Sequence, residues 1–168
     1  MSAAKVVLVL GDDVSTDVIY PGRYMATVLP AETPQYAFAD LGPFNARLKA
    51  GEVPAGSVVV AGKNFGCGSS REQAVSTLKG HELVIVASSF ARIFLQNAIN
   101  LGLGLVEAPG LAATEGDALE IGAAEAVNRT TGQRSAVHPL PAARQAIIDA
   151  GGLIPYTRRR LLERAGRR

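Results

Sequence analysis

Three short β-branched runs recur at spacings that a parallel sheet accommodates and a meander does not. Ser57–Ala61 (SVVVA), Glu82–Ala87 (ELVIVA) and Leu103–Glu107 (LGLVE) are separated by stretches long enough for a helix. Antiparallel neighbours can be joined by two residues, whereas parallel ones need a crossover of roughly a dozen or more. The order strand–helix–strand–helix–strand therefore predicts parallel pairing with right-handed crossovers. The helices are expected from Arg71 to Lys79, stopped by Gly80, and from Ser89 to Asn100, stopped by Gly102. Lys5–Leu10 (KVVLVL), ending at Gly11-Asp12-Asp13, reads as a further buried strand entering a loop.

The remaining segments are less regular. Val14–Thr27 is polar, contains Pro21-Gly22 and is too long for a simple turn, which is the usual setting of functional loops. Gln35–Phe44 has apolar residues at helical spacing, but Gly42-Pro43 is expected to cut it short. After Gly116 the texture changes to short strands, with Ala126–Arg129 and Arg134–Val137 flanking Thr130-Thr131-Gly132-Gln133 as a hairpin. Pro141 and Gly151-Gly152 bracket a helix near the C-terminus. The whole predicts a mixed α/β domain, a parallel portion followed by antiparallel strands.

Composition narrows the function. With 48% apolar and 19% charged residues the chain can bury a sizeable core, and disorder is disfavoured. Its one cysteine forbids an internal disulfide and cannot by itself hold zinc or an iron–sulfur cluster. No apolar run approaches the roughly 20 residues of a membrane helix, and the N-terminus lacks a secretory pattern, so a cytoplasmic protein without a membrane partner is expected. The net charge of +2 hides an asymmetry: six arginines against one glutamate from Thr157 onward, and 11 basic against 14 acidic side chains before it. A nucleic-acid binder carries its basic excess on the folded body, and here it lies in a tail, so no nucleic-acid partner is expected. The tail reads as a solvated, fraying helix, with docking to an acidic partner as the alternative. These limits divide the chain into a body, 1–156, and an Arg-rich C-terminal helix or tail, 157–168.

Gly62-Lys63-Asn64-Phe65-Gly66-Cys67-Gly68-Ser69-Ser70-Arg71-Glu72 is the most informative stretch. Glycines let a backbone approach a ligand closely. Two hydroxyls and a guanidinium then precede a helix, whose free N–H groups and dipole favour an anion, and Arg71 can clamp a carboxylate through parallel hydrogen bonds. The spacing is neither that of the phosphate-binding G-x-x-x-x-G-K-[ST] loop nor that of the G-x-S-x-G nucleophile elbow. Ser69-x-x-Glu72 equally fits a capping box, which needs no ligand.

GKNFGCGSSREQA, followed by SSFARIFLQNAINLGL and preceded by GDDVSTDVIYPGRYM, resembles the swivel domain of the aconitase superfamily. The chain is most similar to the stand-alone small subunits of 3-isopropylmalate dehydratases, and the similarity extends through GDALEIG, the hairpin and IIDAGGLIPY. That resemblance implies a swivelling β/β/α three-layer domain with a partly parallel sheet and a smaller antiparallel portion. It implies a hydro-lyase active only with a large subunit that carries a 4Fe–4S cluster, no cofactor being bound by this chain. Ser69 would be the base, acting as an alkoxide on the carbon beside a carboxylate. Ser70 and Arg71 would stabilise that anion and grip the substrate, and Asp17, in the Ser15-Thr16-Asp17 motif, would orient the site. Ser70 and Asp17 also fit simple capping or bracing of their own segments. Cys67 is expected as a packed side chain, His81 and His138 as surface residues, and Arg92 and Asn97 as structural bracing.

In such small subunits a loop after the P-G-R-Y turn sets specificity, and in members similar to homoaconitase it reads Y-L-R-T. Here it reads Tyr24-Met25-Ala26-Thr27, so the arginine position is Ala26. Losing that cation disfavours a third carboxylate, while Met25 and Ala26 offer apolar surface to a branched alkyl group worth about 1–3 kcal/mol when buried. The implied substrate is a small dicarboxylic hydroxy acid, 2-isopropylmalate foremost, interconverted with 3-isopropylmalate in leucine biosynthesis. Citraconate or methylmalate, dimethylmalate and homoaconitate types remain alternatives, as does a carboxylate-binding module without chemistry. Arg23 lies close enough to reach into the site.

Overall fold

A computed structural model describes residues 3–166. Strands β1 (Ala4–Val9), β2 (Val58–Ala61), β3 (Val84–Ala87) and β4 (Gly104–Glu107) are parallel, each beside its predecessor. Past β1 the sheet continues antiparallel through β5 (Ala118–Ile121), β6 (Glu125–Asn128) and β7 (Arg134–Ala136), giving the order β4-β3-β2-β1-β5-β6-β7. β1 belongs to both halves. Its Ala4-Lys5 end pairs with β5, and a register shift between Val6 and Leu8 turns the remainder onto β2. A bulge of this kind sharpens the local twist, which lets one strand serve two sheets.

All four residues of β2 are buried, so the sheet is covered on both faces. On one side Val7, Val59, Ala61, Ile85 and Leu105 pack with the helices α1 (Thr16–Ile19), α2 (Gly42–Lys49), α3 (Glu72–Gly80) and α4 (Arg92–Leu101), through Ile19, Phe44, Val75, Leu78 and Phe94. On the other, Val6, Val58, Val60 and Val86 meet Leu119 of β5 and Ala126 of β6, so the antiparallel part folds back over the parallel part. The layers are therefore β, β and α. Each fully buried valine or leucine contributes on the order of 1.5–3 kcal/mol, which explains why runs without any polar alternation form these strands.

Several local expectations need correction. Gly42-Pro43 starts α2 instead of ending a helix, because proline is suited to a first helical turn, and the preceding segment forms a 3-10 turn over Thr33–Tyr36. Val14–Thr27 contains α1 and a 3-10 turn at Gly22–Tyr24. Gly80 is the last helical residue of α3 rather than a left-handed stop, and a Cβ there would lie 2.3 Å from Pro34 Cγ, so it serves packing. Gly102 does stop α4 in the left-handed region. α5 (Ala142–Asp149) follows Pro141, and after Gly151-Gly152 a second helix, α6 (Leu153–Ala165), runs through the start of the Arg-rich segment without a break. Arg167 and Arg168 lie outside the described residues. Among the described residues no helix is long and apolar enough to cross a membrane.

Candidate active site

The segments following β1, β2 and β3 meet at the carboxyl ends of the parallel strands, where open α/β sheets place ligands. They are laced by main-chain hydrogen bonds. Gly66 N–H donates to Val14 O and Thr16 N–H to Cys67 O, both at 2.8 Å, while Asp13 N–H reaches Lys63 O. On the other flank Phe65 N–H donates to Ser89 O and Ala91 N–H to Phe65 O. Side chains add Asp12 Oδ1 accepting from Lys63 N–H at 2.7 Å and Asn64 Nδ2–H donating to Asp13 Oδ1 at 2.7 Å. Gly66, at φ +81°, lies flat on Phe94 of α4. Only a residue without Cβ fits there.

This lacing presents Ser69, Ser70 and Arg71 on an open rim. Ser69 is exposed, and its Oγ lies 3.2 Å from the Oγ1 of Thr16, a residue only 1% exposed. The same Thr16 hydroxyl is within 3.2 Å of the Ser69 carbonyl, as a donor. Ser70 is exposed, and its carbonyl accepts from Asn97 Nδ2–H at 3.4 Å. The capping box does not form: α3 begins at Glu72 with Arg71 as its N-cap, and no side chain caps it. The N–H groups of Ser70 and Arg71 meet no acceptor among the described residues.

Arg71 and Asp17, from motifs far apart in the chain, come together. Arg71 Nη1 donates to Asp17 Oδ1 and, at 3.4 Å, to the Tyr20 carbonyl, and the Gly22 N–H also reaches Asp17 Oδ1 at 3.2 Å. The Arg71 side chain is 16% exposed and that of Asp17 is 60% exposed. The guanidinium's hydrogen bond holds the Asp17 carboxyl below its ordinary value, against the opposing effect of burial and with help from the Arg71 charge and the Gly22 N–H. Nη1 is committed, whereas Nη2, which packs beside Gly22, and Nε have no hydrogen-bond acceptor among the described residues.

The loop Tyr24–Thr27 is pinned from below. Tyr20 O–H donates to the carbonyls of Tyr24 and Thr27, at 3.1 and 3.3 Å, and the Tyr24 ring stacks on Tyr36 with centroids 4.1 Å apart. Met25 and Ala26 are exposed at its tip. Arg23 does not reach the site: its guanidinium forms two hydrogen bonds to Asp40 and covers the Tyr24 ring at 4.7 Å.

A groove of about 840 Å³ runs between Asn64–Gly68 and α4, lined also by Arg92, Asn97 and Arg144. It adjoins the serines without containing them, since these stand on its open lip. Cys67 faces the groove and its thiol donates to Asp13 O at 3.3 Å. Among the described residues no three His, Cys, Asp or Glu side chains gather as a metal site. His81 Nε2 lies 2.8 Å from Pro34 O and His138 Nδ1 lies 2.9 Å from Glu107, both away from the rim. Sequence reasoning missed Thr16, a partner of Ser69 from 53 positions away, and the contact of Asn97 with the Ser70 carbonyl.

Known proteins resemble this chain in sequence and fold. The profile of the aconitase C-terminal domain matches residues 41–109. The chain is 46% identical to the 3-isopropylmalate dehydratase small subunit of Moorella thermoacetica, covering 90% of this chain and 92% of the relative. It is 42% identical to the isopropylmalate/citramalate isomerase small subunit of Methanocaldococcus jannaschii, covering 91% and 92%. A crystal structure of 3-isopropylmalate dehydratase from the same organism superposes with a TM-score of 0.87 at 37% identity, over 98% of each chain. Identity above 40% across nine-tenths of both chains, with one fold throughout, leaves a single assignment: the chain belongs to the family of 3-isopropylmalate dehydratase small subunits.

Proposed function

We propose that this chain is the small subunit of a two-subunit hydro-lyase that interconverts 2- and 3-isopropylmalate, as a cytoplasmic enzyme of leucine biosynthesis. The observation that carries the reading is the exposed Ser69 hydroxyl on a laced rim beside Arg71, in a chain whose relatives bear that name. Cys67 is the one cysteine, its thiol is hydrogen-bonded across to Asp13 O, and one thiol does not make the donor set of a cluster, so the 4Fe–4S group is assigned to the large subunit. When bound there, the cluster would supply Lewis acidity at the hydroxyl that leaves as water.

The chemistry of this chain is the handling of one proton. Ser69 Oγ, as alkoxide, takes the proton from the carbon next to a substrate carboxylate. The C–H pair becomes the new double bond as the hydroxyl departs from the neighbouring carbon, taking a proton from solvent or an acid of the large subunit to leave as water and returning it there on readdition. Readdition of water with the positions exchanged, and return of the proton from Ser69, gives the isomer. A serine hydroxyl is far too weak an acid to ionise unaided. The open N–H groups of Ser70 and Arg71 and the guanidinium of Arg71 are the charges that favour the anion. Nη2 and Nε of Arg71, held in place through Nη1 by Asp17, take a substrate carboxylate.

Docking of the large subunit over the rim excludes water from what is otherwise an open lip. Met25 and Ala26 offer apolar contact to the isopropyl group, and Arg23, held on Asp40, supplies no cation for a third carboxylate. The name of the jannaschii relative supports citramalate-type diacids as a second substrate class. The test is reconstitution with an iron–sulfur large subunit and assay against isopropylmalate, citraconate and homocitrate. Ser69→Ala is expected to lower turnover at least ~10³-fold, and turnover within a few-fold of the parent overturns the assignment of the base. Saturable carboxylate binding with no turnover beside any large subunit would make the chain a binding module instead.

A further inference from the structure

From the contact between their hydroxyls, we infer that Thr16 is a positioning residue that supports Ser69 in its anionic form. The inference rests on Ser69 being the base. Thr16 sits at the start of α1, and its N–H is spent on the Cys67 carbonyl at 2.8 Å, which fixes it under the serine loop. Its side chain is buried, at 1% exposure, and its Oγ1 has two neighbours at 3.2 Å, the carbonyl oxygen and the Oγ of Ser69. A threonine hydroxyl has one proton to give and two lone pairs to receive with.

Two arrangements follow. With Ser69 protonated, Thr16 donates to the Ser69 carbonyl and accepts from the Ser69 O–H. With Ser69 ionised there is no proton to accept, and rotation about the Thr16 Cβ–Oγ1 bond swings its own proton onto the Ser69 oxygen. The charge-assisted bond is about twice as strong as either of the two neutral ones it replaces, and the Ser69 carbonyl it releases, in an exposed residue, turns to water. The gain is largest here because Thr16 approaches from the buried side, where the effective dielectric is lower. The outward side of Ser69 Oγ remains for the substrate. The rotation moves no heavy atom, so the donor is in place before the charge forms.

No other side-chain hydroxyl or cation contacts Ser69 Oγ among the described residues, so Thr16 is the one side-chain donor within hydrogen-bond reach of the reactive atom there. Its burial also distinguishes it from Ser70, whose exposed hydroxyl meets no protein partner among the described residues and competes with water. Val in place of Thr keeps the branched shape and removes the donor.

The test uses the complex of this chain with its large subunit, carrying Thr16→Val, Thr16→Ala, Thr16→Ser or Ser69→Ala. Removing one preorganised donor costs about 10²–10³ in turnover. Thr16→Val and Thr16→Ala are therefore expected to lower kcat about 100-fold, with KM within about threefold of the parent. Thr16→Ser, which restores the donor, is expected to recover kcat to within a few-fold. The primary deuterium isotope effect on kcat should stay at or above the parent value, since proton removal becomes the slower step. Melting of the isolated chain identifies a variant that fails to fold, and having both Val and Ala keeps one folded hydroxyl-free form in hand. If a folded Thr16→Val or Thr16→Ala protein keeps kcat within threefold, or if kcat and KM change together without rescue by serine, Thr16 is structural only. If Ser69→Ala itself keeps turnover, the base is wrong and the inference falls with it. Loss in Ser69→Ala with none in Thr16→Val overturns this inference alone.

Discussion

Replacing Gly66 by alanine separates backbone strain from steric exclusion at the rim. The residue has φ +81°, and a left-handed conformation costs an L-residue about 1–2 kcal/mol. The added Cβ would lie 2.2 Å from Cγ and 2.5 Å from Cβ of Phe94. Phe94 is 2% exposed and meets Phe65 edge-on at 5.2 Å, so its ring has little room to retreat. Forcing a methyl group into such packing costs about 1–3 kcal/mol. Together the two effects amount to about 2–5 kcal/mol, a large part of the roughly 5–15 kcal/mol that holds a domain folded. Urea unfolding of the isolated chain should show a lower midpoint with an unchanged slope. In a Phe94→Ala background the ring and Cγ are gone and only the contact with the residue's own Cβ remains, so Gly66→Ala should cost less than in the parent, approaching the conformational part of about 1–2 kcal/mol. A cost below about 1 kcal/mol in the parent, or the same cost in both backgrounds, would refute the placement of this loop on α4.

Arg71→Lys keeps the charge but loses the planar fork, and KM for the diacid in the reconstituted complex should rise about 10- to 100-fold, the equivalent of one charged hydrogen bond. A KM within threefold would show that Arg71 does not hold the carboxylate. Ala26→Arg places a cation on the loop tip and should shift preference from isopropylmalate towards homocitrate, read as the ratio of kcat/KM values; an unchanged ratio argues that this loop does not face the substrate. Asp17 has its carboxyl held low by Arg71, so the pair contributes stability above the unfolded carboxylate's range, near pH 4, and loses it as pH falls through the lowered value. Asp17→Asn should accordingly melt below the parent at neutral pH, by no more than about 1 kcal/mol because the carboxylate is largely exposed, and the gap should close only in strong acid. A gap independent of pH would contradict the pairing.

The parallel half was legible because its signal is chemical and local. VVVA and VIVA have no polar alternation and can only be buried on both faces, and Gly102 marks the end of α4 as its left-handed φ requires. β5 was not: ALEI is four residues of mixed character, and its pairing with β1 is decided by distant partners. Gly42-Pro43 misled because the same dipeptide that closes one helix opens another, and only packing decides. At the site the motifs put Ser69, Arg71 and Asp17 forward as candidates, and the ion pair between the last two is a feature of the fold that the sequence did not announce. Thr16 stayed hidden inside the same motif, since nothing in a sequence says that its hydroxyl turns towards a residue 53 positions away. The Ser69–Glu72 box, one of the two readings the spacing allowed, shows the opposite case, a local pattern overruled when α3 started at Glu72.

Stitching the three strand ends mainly by amide and carbonyl, with few side chains, insulates the reactive oxygen from mutational drift. Substitutions on α2 or in the β6–β7 hairpin can remodel the outer surface, and hence what the protein docks to, while leaving that atom where it was. The same construction concentrates fragility along one seam. Proline at Asp13, Thr16, Phe65 or Ala91 would delete a donor that the seam uses, and each such loss would unfasten the rim without touching any residue that meets the substrate.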